Sequence, residues 1–361
     1  MSGRATPPPP PPRRAPPPHR GHRHSRRLVV IFSTLAAVLV VVCVVAAGLV
    51  YGKLETRPVT AAQGDGVVVS VHRGETLVEV ADALASQGLI RSSTWFAAAA
   101  RLDGIRLRAG RYLISSGMGA SEIVAVLEGA PYCPAVSITI PPGFTAAQIA
   151  TRVAATHGIG VTRQEYLAAL NEGGYTAPVL AIRPPGDTSL EGFLFPDTYT
   201  VTACSTARQI VQAQLDDAQR RLAPLLPSSA GAAYADLIKA SIVQVEVAPR
   251  DFATGASVID NRLALPMRLQ IDSTVMYGLG MAGRPMSGAD KAVDTPYNSY
   301  INPGLPPTPI DNPDLAALQA VLRPAQTDYL FYVSDACGNT YFSATEAVHE
   351  QQVREYLGKC P

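Results

Sequence analysis

The sequence predicts an α+β protein that is carried on a single membrane-spanning helix. Residues 28–51 form one uncharged, mainly apolar run. Beyond residue 66, short runs of β-type residues alternate with amphipathic helical patterns. Near the end of the chain, residues 330–333 and 340–342 are rich in aromatic residues and flank a turn at 335–339, which predicts a β-hairpin. These three patterns together indicate the α+β class.

The N-terminal segment, residues 1–27, contains seven arginines, many prolines and no acidic residue. Such a composition cannot bury a core, so this segment is predicted to be a disordered tail. With a helical rise of about 1.5 Å per residue, a helix over residues 28–51 is long enough to span a bilayer with some tilt. Because the arginines precede this run, the positive-inside rule predicts a single-pass protein of the cell membrane with a cytoplasmic tail and an extracytoplasmic remainder. Cleavage as a signal peptide near Ala46-Ala-Gly48 remains the alternative.

A linker is predicted over residues 52–66, and the first folded part follows it over residues 67–131. The predicted elements of this part are a strand at 67–71, a turn and helix at 73–84, a helix at 94–101, a strand at 110–114 and a helix at 121–128. Ser121 is the expected N-cap of the last helix.

The second folded part is predicted over residues 136–358. Its expected elements are a strand at 137–140, a turn at 141–144, a helix at 145–153 capped by Thr145, helices at 209–222, 234–247 and 253–263, the hairpin described above, and a closing helix at 346–357. The proline-rich stretch 303–313 is expected to be an ordered loop that lines a cleft. Strand, turn and helix occur in the same order at 67–84 and 137–153, which hints at an internal duplication.

Glu246 is the strongest candidate for a chemical role. Ile238, Ile242 and Glu246 are four residues apart, so they share one face of the predicted helix. Pro249 ends this helix near Ala248, which places Glu246 in the last turn at the negative end of the helix dipole. An apolar setting and this dipole both raise a carboxyl pKa, as a general acid requires. A solvated glutamate at a helix end is the alternative interpretation.

Several strings of the chain agree with one known family. They are Leu190-Glu-Gly-Phe-Leu-Phe-Pro-Asp-Thr-Tyr199, Ala240-Ser-Ile-Val-Gln-Val-Glu246, Val258-Ile-Asp-Asn-Arg-Leu263, Met267-Arg-Leu-Gln-Ile-Asp-Ser-Thr-Val-Met-Tyr-Gly278, Thr295-Pro-Tyr-Asn-Ser-Tyr300 and Gly304-Leu-Pro-Pro307. In this order, and over roughly residues 66 to 358, the chain resembles the MltG (YceG-like) family of endolytic murein transglycosylases. The family's catalytic glutamate lies in a Ser-Ile-Val-x-x-Glu segment and matches Glu246. Many members carry a second glutamate where this chain has Gln244.

The resemblance implies a LysM-like subdomain at 67–131, which binds N-acetylglucosamine glycans or serves as a spacer, and a YceG-like catalytic domain at 136–358. It implies lytic cleavage of the bond between N-acetylmuramic acid (MurNAc) and N-acetylglucosamine (GlcNAc) in nascent peptidoglycan, with 1,6-anhydro-MurNAc ends as products. One carboxyl group serves as acid and then as base, without a cofactor. Such cleavage would limit glycan strand length near the membrane, beside the peptidoglycan synthases.

Eight further residues match family motifs or lie in them and are candidates for substrate binding: Glu191, Asn261, Arg262, Gln270, Asp272, Tyr277, Asn298 and Tyr300. Amides can hydrogen-bond N-acetyl groups and tyrosine rings can stack on sugar faces. Each has a structural alternative, such as an ion pair between Arg262 and Asp272 or a turn fixed by Glu191.

The net charge and the distribution of cysteines and histidines limit the classes of function that the sequence allows. The chain has a net charge of +1, but without the seven tail arginines 23 basic residues face 29 acidic ones, a net charge of −6. Nucleic-acid binding is therefore not expected. Four cysteines follow the membrane span and allow three disulfide connectivities, of which Cys133–Cys204 with Cys337–Cys360 is favoured. The histidines are scattered, so a metal site is not expected.

Three other functions remain open from the sequence. A hydrolytic muramidase would use Glu246 with Asp272 or Glu191 as two carboxylates. A non-catalytic wall-binding scaffold would not need Glu246. A pyridoxal-phosphate lyase would need a Schiff-base lysine and a phosphate site. Of the four lysines in the chain, Lys239 alone lies in a candidate helix.

Overall fold

A computed structural model describes residues 23–55, 66–102 and 104–360. Most of the predicted tail and of the predicted linker lies outside these ranges. The chain divides into two compact units, Met1–Tyr132 and Cys133–Pro361, called here the N-terminal and the C-terminal unit. The fold is mixed, with helices and small antiparallel sheets in both units.

The first helix, α1, runs over Arg23–Glu55 and contains the predicted span. Its segment Val29–Ala46 is long and apolar enough to cross a membrane, and the described side chains there are exposed. Among the described helices, α1 is the one that meets this criterion of length and composition. A single N-terminal anchor is consistent with this helix.

The remainder of the N-terminal unit is a strand–helix–helix–strand arrangement followed by a helix. Its elements are β1 (Val67–Val71), α2 (Leu77–Ser86), α3 (Ser93–Leu102), β2 (Gly110–Ile114) and α4 (Ala120–Glu128). The strands β1 and β2 pair antiparallel, with Val69 opposite Tyr112. The predicted cap at Ser121 is wrong. The helix begins one residue earlier, with Gly119 as its N-cap, and the Glu122 carboxylate accepts the Gly119 N–H at 2.7 Å.

The C-terminal unit contains most of the helices. Its elements are β3 (Ala135–Thr139), α5 (Ala146–Ala155), α6 (Arg163–Leu170), β4 (Thr198–Thr202), α7 (Ala207–Arg221), α8 (Ala230–Glu246), α9 (Phe252–Leu263), α10 (Asp272–Gly278), α11 (Leu315–Leu322), β5 (Phe331–Ser334), β6 (Thr340–Ser343) and α12 (Glu346–Tyr356). Short 3-10 helices lie at Pro178–Ile182, Pro249–Asp251 and Asp290–Ala292. The helices α6, α10 and α11 were not predicted from the sequence.

Two antiparallel strand pairs lie in this unit. β3 pairs with β4, and Ile138 is opposite Tyr199. β5 and β6 form the predicted hairpin, in which Tyr332 is opposite Phe342. The favoured disulfide pairing is confirmed, because Cys133 is bonded to Cys204 and Cys337 to Cys360. Both bonds lie wholly within the C-terminal unit.

Helix α8 runs through the core of the C-terminal unit. Leu237, Ala240 and Ile242 are fully buried on it, and the helix packs against α9 and α11. Because α8 is apolar on most of its surface, it is fixed by packing along its length. Its last residue, Glu246, is therefore held in a defined position.

Candidate active site

The end of α8 sets the position of Glu246. The helix ends at Glu246, and Val247 is already extended, with φ −134° and ψ 160°. Pro249 follows two residues later and opens a 3-10 helix. The predicted location of Glu246 in the last turn is confirmed, as is the burial of Ile238 and Ile242 in the same core.

The carboxyl group of Glu246 is partly buried and has two hydrogen-bond donors. The Ser273 backbone N–H donates to Oε1 at 3.3 Å, and the Tyr332 hydroxyl donates to Oε2 at 2.8 Å. Burial raises the pKa of Glu246 above its usual range, the nearby Asp272 charge adds to this rise, and hydrogen bonds from Ser273 and Tyr332 partly offset it. The predicted direction of the pKa shift is confirmed. A carboxyl group in this setting takes up a proton readily and still has donors that stabilise its charged form.

A cleft of about 260 Å³ lies at the end of α8, and Glu246 adjoins it without being one of its lining residues. Its lining includes Val245, the chain neighbour of Glu246, and Ser273, its hydrogen-bond donor. The other lining residues are Gly143, Thr145, Gln148, Asp272, Met276, Tyr277, Ala282, Gly283, Arg284, Pro285, Met286, Ile310 and Asp311. The predicted cleft-lining role of the proline-rich loop 303–313 is confirmed at Ile310 and Asp311. The cleft is therefore built from the end of α8, helix α10, the turn before α5 and two loops.

Three of the candidate binding residues lie at this cleft or next to it. Asp272 and Tyr277 line it. Tyr300 donates its hydroxyl proton to Asp272 Oδ1 at 2.5 Å, and the Lys291 ammonium lies 4.8 Å from the centroid of the Tyr300 ring. Asp272 is exposed, so its carboxylate is accessible to a molecule in the cleft.

Gln270 has an unusual backbone conformation. It is the one described residue other than glycine with a positive φ, at 50°. Its N–H donates to the Ser299 carbonyl at 3.1 Å, and its side chain is exposed. A left-handed conformation costs a residue with a Cβ about 1 kcal/mol or more and is often associated with functional sites. This turn directs the chain into α10, whose first residues are Asp272 and Ser273.

Three other candidates use their donors inside the protein. Asn261 donates from Nδ2 to the carbonyls of Thr327 and Tyr329, both at 2.9 Å. Asn298 is fully buried and donates to the carbonyls of Lys291 and Val293 at 3.0 and 2.8 Å.

The third, Arg262, donates to the carbonyls of Leu330 and Leu269, and its guanidinium lies 5.1 Å from the centroid of the Phe331 ring. Among the described residues it forms no ion pair with Asp272. Its contacts place β5, and hence Tyr332, relative to α9.

Glu191 is buried, with 5 % of its surface exposed. Its carboxylate accepts hydrogen bonds from the Ala146 N–H at 2.9 Å, Asn312 Nδ2 at 2.6 Å and the Tyr277 hydroxyl at 3.1 Å. Burial raises the pKa of Glu191 to about 7, although these donors act against the shift. Glu191 therefore joins the N-terminus of α5, the loop at Asn312 and α10.

Sequence reasoning missed Tyr332, Asn312 and Asp311 as site residues. Tyr332 lies in a predicted strand far along the chain from Glu246, and its local pattern carries no sign of this contact. Asn312 anchors the cleft loop by accepting the Leu194 N–H at 2.8 Å and donating to the Phe144 carbonyl at 2.9 Å. The polar pair Asp311-Asn312, between Ile310 and Pro313 in a proline-rich loop, was the available signal.

Comparisons with known proteins agree with this architecture. A sequence profile of the YceG-like family matches residues 69–355. A protein named endolytic murein transglycosylase from Streptococcus pneumoniae is 28 % identical over 330 residues, which are 83 % of this chain and 60 % of that protein. One of the same name from Bacillus subtilis is 26 % identical and covers 87 % of this chain and 91 % of its own length. The chain thus spans 60 % of the length of the streptococcal relative.

A solved structure also matches. The crystal structure of a yceG-like protein from Listeria monocytogenes superposes with a TM-score of 0.55 at 29 % sequence identity. The match covers 80 % of this chain and 99 % of the Listeria chain.

Proposed function

Because the chain belongs to the YceG-like family, we propose that it is an endolytic murein transglycosylase. It cleaves the MurNAc–GlcNAc bond of peptidoglycan and leaves 1,6-anhydro-MurNAc ends. The observation that carries this proposal is Glu246, a partly buried carboxyl group with a raised pKa beside a cleft. Relatives that bear this activity in their names support it.

In the proposed mechanism Glu246 acts twice. The protonated carboxyl first donates its proton to the glycosidic oxygen as the GlcNAc leaving group departs. The resulting carboxylate then takes the proton of the muramic C6 hydroxyl, whose oxygen bonds to C1 and closes the anhydro ring. The raised pKa favours the first step. The hydrogen bonds from Tyr332 and the Ser273 N–H stabilise the carboxylate that forms between the two steps.

The candidate binding residues have different proposed roles. Asp272, Tyr277 and Tyr300, with the exposed Gln270, contact the glycan at the cleft or beside it. Asn261, Arg262 and Asn298 hold the loops and the strand that form the site, since their donors are bonded within the protein. Glu191 accepts a hydrogen bond from the hydroxyl of Tyr277, which lines the cleft, and so helps to position that tyrosine.

The location follows from α1. We place the tail in the cytoplasm and the C-terminal unit outside the cell membrane, because the tail arginines precede the apolar run. The strand–helix–helix–strand order of residues 67–114 supports a LysM-like subdomain at 67–131, followed by a catalytic domain at 136–358. Anchoring restricts the enzyme to strands near the membrane, where it limits glycan length and where peptidoglycan synthases are the expected partners.

Product analysis tests the activity. The full chain in detergent micelles is incubated with purified glycan strands, and the new ends are identified by mass spectrometry. We expect anhydro ends, formed about 10²- to 10⁴-fold more slowly by Glu246→Gln, because the amide cannot donate the proton. Glu350→Gln, the same change on an exposed residue of α12, should keep the wild-type rate.

The other outcomes assign the other functions. Reducing ends that contain an added water would identify a two-carboxylate muramidase, with Asp272 or Glu191 as the second carboxylate. Binding of glycan without any cleavage, equal in wild type and Glu246→Gln, would identify a wall-binding scaffold. Either result contradicts the lytic mechanism.

A further inference from the structure

Asp311 is a buried acid whose carboxyl group is unpaired within the described part of the chain. It lines the cleft beside Glu246, and only 1 % of its surface is exposed. Neither Oδ1 nor Oδ2 has a hydrogen-bond partner among the described residues. The other acidic side chains that the structure describes as buried, Glu191, Asp217 and Asp335, all have hydrogen-bond donors.

The chain around Asp311 is held in place on both sides. The Ile310 N–H donates to Ser241 Oγ on α8 at 3.0 Å. The Asn312 N–H donates to the Phe144 carbonyl at 3.1 Å, and its side chain bonds Glu191 and Leu194. With both neighbours anchored, Asp311 is kept at the cleft by the fold.

This position costs stability. Burial raises the pKa of Asp311 well above its usual range, and the charge of Glu191 adds to the rise. When protonated, the carboxyl group has one O–H donor and acceptor oxygens that nothing in the described part of the protein uses. An unpaired buried polar group costs about 1–3 kcal/mol. The presence of such an unpaired group at the wall of a cleft is explained if a bound ligand makes the missing hydrogen bonds.

We propose that Asp311 is a substrate-binding residue whose carboxyl O–H donates to the carbonyl oxygen of an acetamido group of the glycan. The inference rests on the proposed function and names a contact for it. Met276, Met286 and Ile310 line the same cleft and offer an apolar surface for the acetamido methyl group. A sugar hydroxyl would hydrogen-bond the acid without needing the apolar side chains Met276, Met286 and Ile310.

Binding is tested in the full chain carrying Glu246→Gln, so that no cleavage occurs. The ligands are the β-1,4-linked N-acetylglucosamine tetramer and its N-deacetylated form. Hydrogen exchange of residues 272–286 is followed during titration, because this segment borders the cleft and distinguishes binding there from binding in the N-terminal unit. Adding Asp311→Ala should weaken binding of the acetylated tetramer about five- to tenfold. Binding of the deacetylated tetramer should change less than about twofold, because the contacted group is absent from it.

Two further variants separate binding from folding. Asp311→Asn keeps a donor and an acceptor and should bind the acetylated tetramer within about twofold of the parent. Asp311→Ala should keep or raise Tm, since it removes an unpaired polar group. Asp217→Asn changes a buried aspartate that is paired with Arg220 and should lower Tm without affecting binding.

Three results would overturn the role of Asp311. They are equal weakening for both ligands, unchanged binding of the acetylated tetramer in Asp311→Ala, and no protection of residues 272–286 by the acetylated tetramer. Failure of the proposed function has a separate readout, since the wild-type chain would then form no anhydro ends even if its cleft bound acetamido sugars through Asp311.

Discussion

The two units contain the same succession of strand, glycine turn and threonine-capped helix and use it differently. In each, a strand leads through a glycine with positive φ, Gly74 at 87° or Gly143 at 76°, to a helix capped by a threonine. A Cβ at Gly74 would meet nothing within 4 Å, whereas one at Gly143 would lie 3.1 Å from Val245 Cγ1. The turn is free in the N-terminal unit and is packed against the end of α8 in the C-terminal unit. One turn type therefore serves as a simple connection in one unit and as a cleft wall in the other.

The units also bury different residues. In the described part of the N-terminal unit every buried residue is hydrophobic, from Val69 to Leu127. The described part of the C-terminal unit buries fifteen polar or charged residues. Buried polar groups cost free energy unless they are paired, and several here converge around the cleft, including Thr145, Glu191 and Asp311. The cost of burying polar groups therefore falls on the C-terminal unit, where several of these groups lie around the cleft.

The largest predicted difference between the units is the pH dependence of stability. Glu191 has a pKa of about 7 in the folded chain and an ordinary value of 4.5 when unfolded. Its protonation therefore favours the folded state below pH 4.5, and this contribution is lost as pH rises through 7. The free energy of unfolding of the C-terminal unit should fall by about 2–3 kcal/mol between pH 5 and 8 through Glu191.

Urea unfolding of the full chain in micelles checks this prediction. The single tryptophan, Trp95, reports the N-terminal unit by fluorescence, and circular dichroism follows the remainder. His349 acts in the opposite direction below pH 6.5, because burial lowers its pKa. The comparison with Glu191→Gln therefore isolates the carboxyl group. Equal pH slopes in wild type and this variant would show that Glu191 does not titrate in this range.

A smaller effect is expected at the hydrogen bond between Tyr332 and Glu246. Tyr332→Phe removes a donor that lowers the pKa of Glu246, so that pKa should rise. Cleavage requires the protonated acid, so the loss of rate at high pH should move to higher pH. At lower pH the maximal rate should fall about tenfold, because the carboxylate formed in the first step has lost a donor.

The pH–rate profile of glycan cleavage measures this shift. Tyr112→Phe is the matched control, since its hydroxyl donates to the Arg108 carbonyl at 2.7 Å in the N-terminal unit. That variant should keep the wild-type profile. If the high-pH limb stays in place in Tyr332→Phe, Glu246 is not the group that titrates in the reaction.

The sequence predicted features that depend on neighbouring residues. The end of α8 at Glu246 follows from its apolar spacing and from Pro249, and the hairpin of β5 and β6 follows from two aromatic runs around a turn. Helix α10 was missed because it is short, with only seven residues, and begins after a left-handed Gln270. Tyr332 and Asp311 reach the site through tertiary packing, which no local pattern encodes.

The smallest predicted effect compares the two threonine caps directly. Thr76 Oγ1 accepts the Glu79 N–H at 3.3 Å, and Thr145 Oγ1 accepts the Gln148 N–H at 3.2 Å. Because the two caps have the same geometry, Thr76→Ala and Thr145→Ala should each lower the free energy of unfolding by about 1 kcal/mol. Trp95 fluorescence measures the effect of the first variant, and circular dichroism measures the effect of the second. Only Thr145 lines the cleft, so only its variant should slow glycan cleavage, by a few-fold. If Thr145→Ala cleaves at the wild-type rate, the start of α5 stabilises the fold and does not shape the bound glycan, and the two caps are then equivalent.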